Sequence, residues 1–314
     1  MTNILRTFYP EGGLLDTPEN QARIRSATAL CEAVAEGAVI EAKAVLCDAA
    51  HNLHVDLPAM KGIIPYEEGA IGITEGTVRD IALISRVGKP IAAVVTGFEY
   101  APTGERRAVL SRRRAQEMCS TEYIDRLRVG DVIPARVTRL ETFGAFCDIG
   151  CGLPALMPIA SISVSRISHP SDRLYPGMEI RAVVSSKENG RICLSQRELL
   201  GTWEENAALF AAGETVTGIV RSVEDYGVFI ELTPNLAGLA EPKEGAVVGR
   251  PVTVYIKSIL PDKMKLKLII IDFQEGDSRP RPPRYFTDEN HLSRWVYSPD
   301  GCPKRIESVF TDAP

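Results

Sequence analysis

The sequence predicts a mainly β protein of three tandem, five-stranded closed barrels, joined by short helical connectors and preceded by an N-terminal helix. Two observations predict it. A frame of landmark residues recurs three times in one order. Between the landmarks the chain reads as short strand-like runs bounded by Gly, Pro, Asn or Asp, without long helical periodicity. About five such runs in roughly 60–75 residues suit a small barrel, and closure leaves no sheet edge open to another chain.

The frame opens on a glycine, Gly37, Gly130 or Gly213, and five residues later comes a small residue, Ala42, Ala135 or Gly218. A pair spaced three apart follows: His51 and His54, Phe143 and Phe146, Tyr226 and Phe229. Short apolar phrases come next, KGIIP at 61–65, PALMP at 154–158 and AGLAE at 237–241. Each unit closes on a basic residue leading an alternating strand: Arg107 before AVLS, Arg191 before ICLS, Lys265 before LKLI.

The elements then fall in order along the chain. Residues 1–35 form an N-terminal helical segment, in which Thr17-Pro18 supplies the cap and first turn of a helix running to about Ala35. Residues 36–114 are the most divergent barrel, and residues 115–127, containing STEYIDRL, are a helical linker. In the barrel at 128–198, DVIPARVTRL, GMEIRAVVSS and GRICLSQ read as strands, with Asn189-Gly190 as a hairpin signal. A second helical linker covers 199–210, within the helical stretch SQRELLGTWEENAALF, and its Trp203 reads as an interdomain packing residue. A shorter barrel occupies 211–271. Residues 272–314 are a Pro- and Arg-containing tail, extended over GDSRPRPPRY, whose final aromatic stretch folds back onto an unspecified surface.

Composition excludes several classes. A hydrophobic fraction of 45% with 25% charged residues is ordinary for packed, soluble protein. The chain has no apolar run near the ~20 residues needed to span a bilayer, and MTNILRTFYPEGG has no signal-peptide core. A cytoplasmic protein is expected. Seven cysteines without a Cys-x-x-Cys pair argue against a disulfide framework. Cys147 and Cys151 are four apart but lack completing ligands, so no metal is expected, and Cys147 and Cys193 read as small buried hydrophobes. There is no P-loop, no Gly-x-Ser-x-Gly and, among four histidines, no His-x-x-x-His, so no enzyme, cofactor or small-molecule substrate is expected. The net charge of −5 is no basic footprint, yet residues 128–198 carry nine Lys/Arg against seven Asp/Glu, while 211–271 balance at seven each.

The phrases GDVIPARVTRLETFGAFCDIG through RICLSQREL resemble the S1 domain, an RNA-binding barrel of the OB-fold class. The resemblance is strong over 128–198, clear over 211–271, and confined to the frame over 36–114. An array of such units without a catalytic domain is most similar to the ribosomal protein S1 family, in a short form. The resemblance implies a binding face made of two aromatics, a histidine after the apolar phrase, an aspartate and an arginine. In the second unit Phe143, Phe146 and Arg191 fill those places, with Pro158 at the histidine place and Lys187 at the aspartate place. The third unit offers Tyr226, Phe229 and Lys265, with Glu241 at the histidine place. The first has His51 and His54 for the aromatics and Pro65 for the histidine, and keeps Arg107 alone.

A physical account accompanies these assignments. On a flat strand, residues three apart point to opposite faces, so Gly144 is expected to allow a bulge or kink that brings Phe143 and Phe146 onto one face. Exposed rings offer platforms for unpaired bases, worth about 1–3 kcal/mol per stacked base. Arg136, Arg139, Lys187 and Arg191 are the candidate phosphate contacts. The bland alternatives are a ring pair serving as core and turn, and His51 and His54 as ordinary surface or packing residues. Arg112-Arg113-Arg114 reads as a solvated helix start, with ribosomal RNA contact as the alternative. The functional expectation is a non-catalytic protein that binds single-stranded RNA, holding mRNA on or near the small ribosomal subunit. The alternative is a regulator acting off the ribosome on transcripts or RNA-processing enzymes.

Overall fold

The computed structural model describes residues 8–188, 190–276 and 280–311, so Asn189 of the predicted hairpin and residues 277–279 of the predicted extended stretch lie outside the described residues. The chain divides into two compact units, residues 1–127 with 148–154, and residues 128–147 with 155–314.

The first unit begins with α1 (Pro18–Ile24) and α2 (Ala27–Glu36). Thr17 caps α1 as expected, its hydroxyl accepting the Asn20 N–H at 3.2 Å. The helix predicted to run to Ala35 is nevertheless two helices, because Ser26 is extended and restarts the chain by accepting the Ala29 N–H. Strands β1 (Val39–Cys47), β2 (Leu53–Asp56), β3 (Lys61–Ile64), β4 (Pro90–Tyr100) and β5 (Arg106–Ser111) close a barrel in the order β1-β2-β3-β5-β4, with α3 (Ile81–Ile84) before β4. The pair β3–β5 is parallel and the rest are antiparallel. Alternate residues such as Ile40, Leu53, Ile64, Ile91 and Leu110 fill its interior.

No linker separates β5 from α4 (Arg112–Glu122), since Ser111 ends the strand and caps the helix. The expected solvated start at Arg112 is therefore corrected. Arg112 is buried and its guanidinium pairs with Glu11 at 2.6 Å, while Arg86 reaches the same carboxylate at 2.7 Å. Arg113 pairs with Glu117 at 3.0 Å, and Arg114 is exposed. Burial pushes the Glu11 carboxyl up, but Arg112 and Arg86 outweigh it and hold the group below the usual carboxylate range. Asp148 accepts the Glu11 N–H at 2.7 Å, and burial together with the Glu11 charge raises its carboxyl to about 6. Glu41 uses one oxygen to accept the Gly12 and Leu14 N–H groups at 3.0 Å each. Its other oxygen is buried without a partner among the described residues, and burial raises the carboxyl to about 7.

The second unit contains two barrels of the same order. Strands β6 (Val132–Glu141), β7 (Gly144–Asp148), β8 (Pro154–Pro158), β9 (Glu179–Glu188) and β10 (Arg191–Ser195) close as β6-β7-β8-β10-β9. The predicted helical connector is a 3-10 turn at Arg197–Leu200 followed by the short α5 (Trp203–Ala207), where Thr202 and Glu205 form a capping box. Trp203 packs in the core of the third barrel, which corrects its reading as an interdomain residue. That barrel comprises β11 (Thr215–Glu224), β12 (Gly227–Thr233), β13 (Leu236–Ala240), β14 (Pro251–Leu260) and β15 (Lys265–Phe273). Of the two cysteines read as buried, Cys147 is buried and Cys193 is half-buried.

The tail is a strap with its own hairpin, β16 (Arg294–Val296) and β17 (Glu307–Val309). Its backbone exchanges hydrogen bonds with the second barrel, Val132 N–H to the Asn290 carbonyl at 2.9 Å and Leu292 N–H to the Gly130 carbonyl at 2.8 Å. Gly130 has φ +96°, and a Cβ there would lie 2.2 Å from the Leu292 oxygen, so the strap demands glycine. Arg181 donates to the Thr287 and Glu289 carbonyls at 2.6 and 2.8 Å, and its N–H reaches the Tyr285 hydroxyl at 2.7 Å. Trp295 and Tyr297 then enter the core of the third barrel. On the third barrel, the buried Glu231 carboxylate of β12 pairs with Arg221 of β11 at 2.6 Å and also with Arg173. Among the described residues, no helix is long and apolar enough to cross a membrane, and no group of three or more His, Cys, Asp or Glu suits a metal ion.

Two outcomes follow from this packing. Trp295→Ala should lower the unfolding free energy in urea by about 3–5 kcal/mol, the usual effect of emptying a large aromatic site. Glu41, raised to about 7, binds its proton more tightly folded than unfolded, so its contribution is present at pH 5 and lost as pH climbs through 7. Glu41→Gln should therefore remove a decline on the order of 2–3 kcal/mol between pH 5 and 8, read by denaturant titration across that range.

Candidate nucleic-acid interface

Phe143 does not lie on a strand. Strand β6 ends at Glu141 and β7 starts at Gly144, so Thr142 and Phe143 form the turn between them. Phe146 is the third residue of β7 and faces outward, half-buried, while Ala145 and Cys147 are buried on either side of it. The turn leaves Phe143 54% exposed. The two ring centres are 6.1 Å apart at 88°, an edge-to-face pair. The rings share a face because one belongs to the turn, and this replaces the expected bulge or kink within a strand. Gly144 is required for a different reason. A Cβ there would sit 2.3 Å from the Met157 oxygen and 3.0 Å from the Pro158 Cα, and the Ile159 N–H ties the turn down by donating to the Phe143 carbonyl at 2.9 Å.

The third barrel repeats the arrangement. Tyr226 is in the turn and 68% exposed, Phe229 is half-buried on β12, and the rings meet edge to face at 6.2 Å. A Cβ on Gly227 would lie 2.6 Å from the Ala240 oxygen.

The cations are arranged differently in the two barrels. In the second, the Arg139 guanidinium lies 4.9 Å from the centre of the Phe146 ring while pairing with Glu141 at 3.0 Å. Arg136 pairs with Glu179 across β6 and β9. Lys187 is half-buried on β9 opposite Ile192, and the exposed Arg191 opens β10 opposite Glu188. Register places Cys193, two residues beyond Arg191, in a row with Leu156 and Ser186. In the third barrel the row is complete: Ser222 opposite Phe229, Phe229 opposite Leu239, Leu239 beside Lys267, and Lys267 opposite Ser258. The predicted Lys265 is exposed but lies two residues short of this row, and Lys267, which the sequence reading missed, is in it. The signal was present in KLKL, where period-two alternation sends both lysines outward.

The first barrel presents another chemistry. Its row runs Leu46, His54, Ile63, Val109, Gly97. His54 Nε2 is 3.1 Å from Asp48, and His51, in a left-handed turn at φ +62°, has Nδ1 3.4 Å from Asp80. Burial works to raise the Asp48 carboxyl, but hydrogen bonds from His54, Asn52 and the Asn52 and Ala50 amides outweigh it and hold it at about 2. Arg107 pairs with Glu99 at 2.6 Å. Carboxylates thus stand beside His51, His54 and Arg107 where the other barrels expose rings.

Flat rings in water beside a guanidinium suit unpaired bases and their phosphates. Residues 126–197, which carry the Phe143–Phe146 pair, match the family described as S1 RNA binding domain. The chain carries an S1 domain. Beyond that domain, the chain is 32% identical over 263 residues to the small ribosomal subunit protein bS1 of Leuconostoc lactis, covering 78% of this chain and 59% of that protein. A bS1 homolog of Bacillus subtilis is 29% identical over 201 residues, covering 61% of this chain and 50% of that one. The 4-hydroxy-3-methylbut-2-enyl diphosphate reductase of Clostridium acetobutylicum is 30% identical over 184 residues, 54% of this chain but 28% of that protein. The chain therefore spans 59% or less of the length of these relatives.

The close approach behind the S1-domain turn is testable. Gly144→Val should lower the unfolding free energy by roughly 2 kcal/mol or more, measured in urea, because the obstacle is strand backbone that cannot rotate away.

Proposed function

We propose that the chain is a non-catalytic, single-strand RNA-binding protein of the ribosomal S1 type, holding mRNA on or near the small ribosomal subunit during translation. The carrying observation is the Phe143–Phe146 pair, fixed edge to face by the β6–β7 turn with Arg139 over one ring. A ring left about half exposed in a turn keeps apolar surface in water, whereas each base stacked on such a ring contributes about 1–3 kcal/mol. Bases in a duplex are hidden from such a platform, so the substrate is unpaired RNA.

On this reading the units at 128–198 and 211–271 grip the message, and Phe143, Phe146, Arg139, Tyr226 and Phe229 are the principal contacts. Arg191, Lys187 and Lys265 flank them, and Arg136 contributes least because Glu179 already neutralises it. The unit at 36–114, with histidines held by carboxylates in place of the aromatic pair, contributes docking to the ribosome. Several weak sites on one chain gain avidity through effective concentration. The protein works in the cytoplasm.

Phe143→Ala combined with Phe146→Ala should weaken binding to unstructured RNA tenfold or more in a fluorescence titration; unchanged affinity removes the site assignment. The native protein should co-sediment with small ribosomal subunits, and its recovery only in ribosome-free fractions would favour the off-ribosome regulator.

A further inference from the structure

Resting on that reading, we infer that the third barrel holds RNA phosphates from the opposite side of its aromatic row, through Lys267 with Lys257, and not from the side that Arg139 serves in the second barrel. Counting from the landmark glycines Gly130 and Gly213, the position equivalent to Arg139 in the third barrel is Ser222, a neutral residue paired directly with Phe229. The third barrel therefore has no cation over its ring from β11. The other flank shows the reverse. At the position of Lys267 on the fifth strand, the first barrel has Val109 and the second Cys193, each in the corresponding row. Within this row the cation stands on β6 in the second barrel and on β15 in the third, while the exposed Arg191 of β10 holds in the second barrel the place of Lys265.

Geometry favours a phosphate role for this flank. Lys267 is separated from Phe229 by the single strand β13, a span of roughly 10 Å at ordinary strand spacing. The residue between, Leu239, is partly exposed and offers an apolar floor. The β14–β15 register shifts between Ile256 and Ser258, so Lys257 is the extra residue of a bulge, exposed beside Lys267. Lys265, two residues back on β15, extends the same outward edge. Among the described residues these three lysines form no ion pair, in contrast to Arg139, Arg136 and Arg107. The nearest buried acid of this barrel, Glu231, is already engaged by Arg173 and Arg221. The balanced charge of residues 211–271 thus conceals an uncompensated cationic edge. A flexible ammonium is a point charge suited to a phosphodiester rather than to reading base edges.

The two barrels then divide the work, with stacking dominant in the second and backbone attraction in the third. The test uses the full chain and an oligouridylate long enough to span both barrels, with affinity followed by fluorescence anisotropy over a series of salt concentrations. Each phosphate contact on single strands contributes about 0.7 to the slope of log K against log salt. Lys257→Gln with Lys267→Gln should flatten that slope by about 1.4, while Arg79→Gln with Lys89→Gln, removing equal charge from the first barrel, should not. A slope unchanged by the first pair, or flattened equally by the second, overturns the inference. If Phe143→Ala with Phe146→Ala weakens binding while the lysine pair leaves the slope intact, the inference fails and the proposed function stands. If the lysine pair flattens the slope and the phenylalanine pair changes nothing, the third barrel is the RNA site and the assignment of the second falls.

Discussion

The whole arrangement depends on one steric constraint: the backbone of β8 passes so close to the start of β7 that position 144 has no room for a side chain. That approach pins the turn between β6 and β7, and the turn is what carries Phe143 out of strand parity. Parity alone would bury one ring whenever the other is exposed. With the turn fixed, the barrel interior keeps Ala145 and Cys147, and both rings remain on the outside. The same contact at Gly227 produces the same result in the third barrel, so the constraint belongs to the repeat.

The strap ties the second unit together. Gly130 opens the second barrel and also receives the Leu292 backbone, while Trp295 and Tyr297 complete the third barrel's core. Burying two large aromatics from the tail offsets the modest core that a short barrel can build for itself. The buried Glu231, shared by Arg173 and Arg221, works in the same direction, although such a pair contributes more to uniqueness of geometry than to net stability.

Much of the fold was legible because the landmarks are closure requirements. Glycines at unit openings, apolar phrases on the third strand and alternating final strands recur wherever five strands must close in one order. The turn at Phe143 was not legible, since a strand with a bulge and a strand starting one residue later have the same spacing. Arg112 was misread because its partner, Glu11, is 101 residues away, and no local pattern marks a buried charge whose counter-ion is remote. Trp203 was misplaced, and the surface beneath the tail could not be named, for a related reason: their partners come from distant strands. At the site, the rings and Arg139 were readable from one phrase of sequence. Lys267 was not, because its significance lies in a parallel register with β13 that sequence does not print.

The account rests on bases lying against the rings of Phe143 and Phe146, and proton NMR of those rings during titration with oligouridylate tests it most directly. Stacking should move the ring resonances of both residues upfield together, saturating with the binding curve. Resonances that stay in place while the RNA binds would contradict it.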